Sequence, residues 1–124
     1  MKNLEKTIIE KIRQDGPITF ADFMNIALYD NNEGYYSAGK AEIGKKGDFY
    51  TSPHVHAAFG NVLSRFILHI KKFINDENFT IIEIGSGKGY LAFDILNHIK
   101  SESGQYGNIN YIIVEKSDKG FIEE

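Results

Sequence analysis

Three glycines lie within five residues between two apolar segments of the chain. Gly85, Gly87 and Gly89 follow "FTIIEI" and precede "YLAFDILNHIK", so they form a turn between a predicted strand and a predicted helix. Glycine suits such a turn because it adopts backbone conformations that a Cβ disfavours and lets a ligand approach the main chain closely. The spacing is G-x-G-x-G, which differs from the dinucleotide fingerprint, and the P-loop spacer is absent. The turn alone is a weak signal for a nucleotide-type ligand, and its spacing makes NAD the less favoured one.

An acidic residue follows the second predicted strand. Glu115 ends "YIIVE", at the carboxyl edge of the predicted sheet. A carboxylate there can accept hydrogen bonds from both ribose hydroxyls of an adenosine ligand, and it would repel the 2′-phosphate of NADP. Glu83 lies inside the apolar first strand, where a carboxylate is costly to bury unless it is bonded or paired. An outward-facing edge position is the alternative interpretation of Glu83.

Helices are predicted before this turn. An apolar residue at every fourth position predicts a short helix that ends at "DGP" (residues 15–17), and Thr19 can cap a second helix. The apolar stripe of the second helix is predicted to be core; it contains Phe20, Phe23, Met24, Ala27 and Leu28. A long third helix is predicted at 53–74, with Ser52 as its cap.

The segment 30–52 has no clear periodicity. It is rich in glycine and tyrosine, and an irregular stretch of this length inside a compact domain is unusual unless it is functional or disordered. Its aromatic residues favour partial order.

The order strand, helix, strand after residue 78 predicts a right-handed βαβ unit with parallel strands. We therefore predict an α/β protein in two parts. Residues 1–78 form a helical N-terminal region that includes the 30–52 loop, and residues 79–124 begin a Rossmann-like domain.

Composition limits the class of protein. The chain has 124 residues and a formal net charge of -3, which argues against a general nucleic-acid binder. It has no cysteine, so disulfides and thiolate metal sites are excluded, and no metal site is predicted. Neither a secretory signal nor a run long enough for a transmembrane helix is evident. The expectation is a cytoplasmic protein with no membrane association.

Two sets of motifs resemble a known family. "EIGSGKGYLAFDIL" resembles the first motif of class I S-adenosylmethionine-dependent methyltransferases. "GPITFADFMNIALYDNNEGYYS" and "IGKKGDFYTSPHVHAAFG" resemble the MidA-like family, which includes the mitochondrial complex I assembly methyltransferase. The resemblance covers roughly residues 16–117. It implies a Rossmann-like core and S-adenosyl-L-methionine as the cofactor.

The resemblance also implies roles for individual residues. The carboxypropyl end of the cofactor would lie over Gly85, Ser86, Gly87 and Gly89, and its ribose would bind Glu115. Glu83 matches the acid near the methionine moiety. Asp48 and Thr51 match a loop that closes over the cofactor side. The family usually has an acid after "TSP", where this sequence has His54. No catalytic residue is assigned.

The resemblance implies the N-terminal region of a methyltransferase that acts on a protein side chain, with arginine as a candidate acceptor. A respiratory complex subunit is the kind of partner that the family implies. Since family members run to several hundred residues, we interpret the chain as a truncated form that is inactive alone, and its bared apolar edges would favour homo-oligomers. The alternatives are a non-catalytic binding or assembly module and, less favoured, an NAD-binding protein.

Overall fold

The computed structural model describes residues 2–39, 41, 44, 47–48, 51–74, 78–103 and 108–116. Seven helices and strands lie in this part of the chain: α1 (Lys2–Asp15), α2 (Phe20–Tyr29), α3 (Ser52–Val55), α4 (Ala58–Lys71), β1 (Phe79–Ile84), α5 (Tyr90–Ser103) and β2 (Ile109–Val114). They fall into two compact units. The first contains α1 and α2, and the second contains α3, α4, β1, α5 and β2.

In the first unit, α2 begins as the sequence predicts. Thr19 is its N-cap: the Thr19 hydroxyl oxygen accepts the Asp22 backbone N–H at 3.1 Å and donates to the Asp22 carboxylate at 2.6 Å. The predicted burial of the apolar stripe is wrong for Phe20, which is 75% exposed, and Phe23 is also exposed. Periodicity shows which residues share a helical face, but only the neighbouring elements decide whether that face is covered.

The chain after α2 is partly ordered by its tyrosines. Backbone N–H groups of Tyr35 and Tyr36 donate to carbonyls at the end of α2, at 3.0 and 2.9 Å. The rings of Tyr35 and Tyr36 meet edge to face, with centroids 4.9 Å apart. This agrees with the expected partial order of the first part of the 30–52 loop. Most of residues 40–50 lie outside the described residues.

The predicted long helix is two helices in the structure. Thr51, not Ser52, is the N-cap of α3, and the helix ends at Val55. His56 then has an extended backbone, with φ -165° and ψ 143°, and its Nδ1 accepts the Ala58 N–H at 2.9 Å. The extended residue interrupts the backbone ladder, and the histidine side chain satisfies a free N–H at the start of α4.

The predicted βαβ unit is confirmed. β1 and β2 are parallel neighbours, in a register that pairs Phe79 with Ile109 and Ile84 with Val114. In both strands half-buried residues alternate with exposed ones, so one face of the sheet is better covered than the other. The buried core of this unit lies mainly on α5, at Ala92, Ile95 and Ile99.

Helix α4 packs against α5 within the second unit. Gly60 of α4 is buried, and a Cβ at this position would collide with the Cβ of Asp94 on α5. The predicted boundary at residue 78 falls between α4 and β1, which lie in the same compact unit.

Candidate functional site

The glycine turn has the backbone conformation that its sequence predicts. Gly85, Gly87 and Gly89 have φ values of 74°, 58° and 73°, in the left-handed region that disfavours residues with a Cβ. Nothing lies within 4 Å of where a Cβ would stand at Gly85 or Gly89. The backbone conformation, and not a lack of space, therefore requires glycine at these two positions, and the turn has an open side.

Glu115 lies against this turn. Its Oε1 accepts the Gly87 backbone N–H at 2.9 Å and the Ser86 hydroxyl at 3.2 Å. The Gly85 N–H donates to the carbonyl of Val114 at 2.9 Å, which extends the strand pairing up to the turn. The structure thus brings together the two features that the sequence places at the same sheet edge, and it adds a direct bond between them.

Glu83 is half-buried and bonded to the neighbouring strand. Its Oε2 accepts the Tyr111 hydroxyl at 2.7 Å. Burial, followed by the hydrogen bond to Glu83, raises the pKa of Tyr111 above its ordinary value. The bond compensates part of the cost of burying a carboxylate in an apolar strand. Sequence reasoning missed Tyr111, although the two-residue alternation of "INYIIV" could have placed it on the face of Glu83.

A cleft of about 330 Å³ lies beside the turn, within the second unit. Its wall comes from three places: Thr51 and His54 at α3, Glu83 and Gly85 at the end of β1, and Tyr90 at the start of α5. Segments separated by about 30 residues of sequence therefore meet here.

The predicted site residues divide into two groups around this cleft. Thr51, Glu83, Gly85 and Ser86 line it. The remaining four do not. Gly87 and Gly89 belong to the adjoining turn, and Glu115 supplies the carboxylate that is bonded to this turn. The fourth, Asp48, is exposed, and much of its loop lies outside the described residues.

His54 is the residue of this wall whose role the sequence leaves unassigned. It is the third residue of α3, and its Nδ1 accepts the backbone N–H of Thr51 at 3.4 Å. A glutamate or glutamine at this position usually makes that bond in a capping box. The imidazole therefore makes, at the start of α3, the capping hydrogen bond that an acidic side chain can also make. Its ring also meets Tyr90 edge to face, with centroids 5.1 Å apart.

The wall offers both polar and apolar groups. The Glu83 carboxylate and the Ser86 hydroxyl oxygen can accept hydrogen bonds, and Phe59 and Leu91 add apolar surface. Within the described ranges, no three histidine, aspartate or glutamate side chains are grouped so that they could hold a metal ion. In the same ranges, no helix is both long enough and apolar enough to cross a bilayer. The arrangement suits a ligand with charged and apolar parts.

Several known proteins resemble this chain in sequence. The model of a family described as "Putative S-adenosyl-L-methionine-dependent methyltransferase" matches residues 62–120. The chain is 31% identical over 120 residues to the mitochondrial protein arginine methyltransferase NDUFAF7 homolog of Caenorhabditis elegans, which covers 94% of this chain. It is 36% identical over 117 residues to mitochondrial NDUFAF7 of Bos taurus, covering 90% of this chain. The chain spans 28% and 26% of these two relatives.

Two solved structures from Burkholderia thailandensis have a similar fold. One is a COG1565 superfamily member bound to S-adenosyl-homocysteine, with a TM-score of 0.80 and 25% identity over 95% of this chain and 31% of that one. A native structure from the same superfamily has a TM-score of 0.66 and 22% identity, over 90% of this chain and 27% of that one. The second likeness concerns the fold alone.

The relatives also correct one prediction. The expected cytoplasmic location is wrong by this comparison, because the relatives from Caenorhabditis elegans and Bos taurus are mitochondrial by name. That expectation rests on the lack of a recognisable secretory signal and membrane span. Those two features do not distinguish the cytoplasm from the mitochondrion.

Proposed function

We propose that the chain is the N-terminal part of an S-adenosylmethionine-dependent methyltransferase of the MidA-like family and that it supplies the start of the cofactor site of this enzyme. The observation that carries the proposal is the turn of left-handed glycines at the end of β1, which borders a cleft and holds the carboxylate of Glu115. The likeness to a chain that binds S-adenosyl-homocysteine supports this assignment.

Each predicted residue has a role in this proposal. The backbone from Gly85 to Gly89 would hold the carboxypropyl end of the cofactor, and Glu83 would accept a hydrogen bond from its ammonium group. Glu115 would accept hydrogen bonds from the ribose hydroxyls, while Ser86 and the Gly87 N–H orient its carboxylate. Asp48 and Thr51 contribute from the side of the preceding loop.

When bound, S-adenosyl-L-methionine supplies an electrophilic methyl group on a sulfonium ion, and the chain binds and orients the donor. We propose a protein side chain as the acceptor, with arginine favoured because the curated relatives are named protein arginine methyltransferases. A subunit of a respiratory complex is the partner that the family resemblance suggests. Methylation of a guanidinium needs a carboxylate to align it and take its proton. We assign no described residue to that task.

Ligand-dependent stability tests the proposal. S-adenosyl-L-methionine or S-adenosyl-homocysteine should raise the melting temperature of the protein, because a ligand that binds only the folded state stabilises it. NAD at the same concentration should not. A rise with NAD alone would contradict the proposal. Binding of the adenosyl ligands by the protein at its natural length, without methyl transfer to any mitochondrial protein, would instead favour a non-catalytic assembly module.

A further inference from the structure

Tyr111 of β2 is bonded to the carboxylate of Glu83, one of the proposed cofactor-binding groups. Its hydroxyl donates to Glu83 Oε2 at 2.7 Å, and both residues are half-buried, on the better-covered face of the sheet. Glu83 lines the cleft beside the glycine turn, and Tyr111 is not part of the cleft wall. Tyr111 thus contacts a side chain of the proposed site without lining the site itself.

The register of the two strands explains how the phenol reaches this carboxylate. Glu83 is paired with Ile113, and Tyr111 lies two residues before Ile113 on the same face of β2. A diagonal neighbour on one face of a sheet is within reach of an aromatic or long side chain. The tyrosine ring spans the offset and brings its hydroxyl to hydrogen-bond distance. A phenylalanine at this position would keep the ring and lose the bond.

The bond restricts the Glu83 carboxylate and leaves it able to accept further hydrogen bonds. A glutamate side chain has several rotatable bonds, so holding it in one orientation costs conformational entropy. The hydroxyl of Tyr111 fixes that orientation in the folded protein and reduces the entropy that a ligand would otherwise cost. An ionised carboxylate has about four acceptor positions. Glu83 can therefore accept from Tyr111 and from an ammonium group at the same time.

We propose that Tyr111 is a positioning residue that orients Glu83 toward the ammonium group of the adenosyl ligand. The inference rests on the proposed function, in which Glu83 accepts from that group. Tyr111 then controls recognition of the amino group, and the rest of the ligand binds independently of it. A purely structural bond would instead satisfy a carboxylate in an apolar strand, which affects stability and not the choice of ligand.

Calorimetry on the protein at its natural length separates these two roles. S-adenosyl-homocysteine carries the ammonium group, and its deamino analogue keeps the carboxylate and lacks only that group. Tyr111→Phe should weaken S-adenosyl-homocysteine about three- to tenfold and leave the deamino analogue unchanged within about twofold. Ile109→Val is the matched control. It removes a methylene group from a half-buried position on the same face of β2 and should lower stability without changing either affinity.

A double-mutant cycle tests whether Tyr111 acts through Glu83. Glu83→Gln removes the charge that attracts the ammonium group and should weaken S-adenosyl-homocysteine about tenfold or more. Because Tyr111 has no proposed contact with the ligand, adding Tyr111→Phe to Glu83→Gln should weaken binding by no more than about twofold further. Additive losses would show that Tyr111 does not act through Glu83, which would overturn the inference.

The outcomes separate this inference from the proposed function. If the unaltered protein does not bind S-adenosyl-homocysteine, the proposed function and this inference both fail. If it binds, and Tyr111→Phe binds as tightly or tighter, or loses both ligands equally, only the inference fails. Carbon-13 NMR of labelled tyrosine gives a readout that does not depend on the stability of a variant. The Cζ resonance of Tyr111 should move with S-adenosyl-homocysteine and not with the deamino analogue, and any other result contradicts the inference.

Discussion

At the residue scale, the two strand-end acids are each held by the protein before any ligand is considered. Glu83 accepts from Tyr111, and Glu115 accepts from Ser86 and Gly87. Such bonds fix the direction of each carboxylate, which reduces the entropy lost when a ligand binds. The proposed cofactor site is therefore partly organised by its own hydrogen bonds.

Replacing Glu115 should affect both the turn and the ligand. We expect Glu115→Ala to weaken binding of S-adenosyl-L-methionine by about 1.5–3 kcal/mol, because it removes charge-assisted hydrogen bonds. Glu115→Gln keeps one acceptor oxygen for the Gly87 N–H and should lose less. Calorimetric titration of both variants measures the difference. Unchanged affinity in Glu115→Ala would remove the ribose assignment.

The bond between Tyr111 and Glu83 should make stability depend on alkaline pH. The pKa of Tyr111 is raised from its ordinary value of 10.0, first by burial and then by the bond to Glu83, so the folded state favours the neutral phenol. The resulting stabilisation is fully present below about pH 10 and is lost as pH rises through the raised pKa. Tyr111→Phe should cost about 1 kcal/mol at pH 7 and lose less stability than the parent above pH 10. Urea unfolding at pH 7 and above pH 10 tests this prediction. Equal losses of unfolding free energy in the parent and in Tyr111→Phe would contradict it.

At the element scale, the contact between α4 and α5 depends on a buried glycine. Gly60→Ala would place a methyl group against the Cβ of Asp94, which is attached directly to backbone and cannot swing away. Overpacking costs about 1–3 kcal/mol, and alanine recovers up to about 1 kcal/mol of helix propensity. We therefore expect a net loss of about 1–2 kcal/mol, measured by chemical unfolding. Val62→Ala, at an exposed position on the same helix, should change stability by less than about 0.5 kcal/mol. Equal effects of the two substitutions would rule out the packing explanation.

At the scale of the whole molecule, the sheet has an apolar face that the described residues leave open. Ile82 is 62% exposed and Ile84 is 81% exposed, and Ile112 and Val114 are also exposed. Parallel sheets are usually covered on both faces. The matched relatives are much longer than this chain.

We expect the 124-residue chain by itself to associate through this face. Sedimentation at increasing concentration should show dimers or larger species, because contiguous apolar surface favours association. The pair Ile82→Lys and Ile112→Glu places opposite charges on paired residues of the two strands and should keep the chain monomeric. Asn97→Lys, at an exposed polar position on α5, should not change the association. A monomer at all concentrations would contradict the prediction.

Methyl transfer should also require more chain than these 124 residues. The sheet has two strands in the described part, and ligands of open α/β sheets bind in a crevice beyond the ends of several strands. We expect no transfer from labelled S-adenosyl-L-methionine to mitochondrial extract by this chain alone, and transfer by a full-length relative in the same assay. Turnover by the short chain would show that its cofactor and acceptor sites are already complete.

Local sequence patterns were sufficient to predict the order of the βαβ unit, the left-handed glycine turn and the neighbourhood of Gly87 and Glu115. The prediction that Gly87 and Glu115 are neighbours also needed one rule of topology: the carboxyl ends of parallel strands lie at the same edge of a sheet. The cap at Thr19 is equally local.

The remaining features depend on tertiary structure. The predicted helix at 53–74 breaks at His56, because this residue has an extended backbone and its side chain caps the start of α4. Apolar periodicity predicts neither the extended backbone nor the cap. Phe20 belongs to a helical stripe but is exposed, because burial depends on which elements pack against the stripe. His54 and Glu83 line one cleft although they are far apart in sequence. Proximity of this kind is produced by packing, and no local pattern contains it.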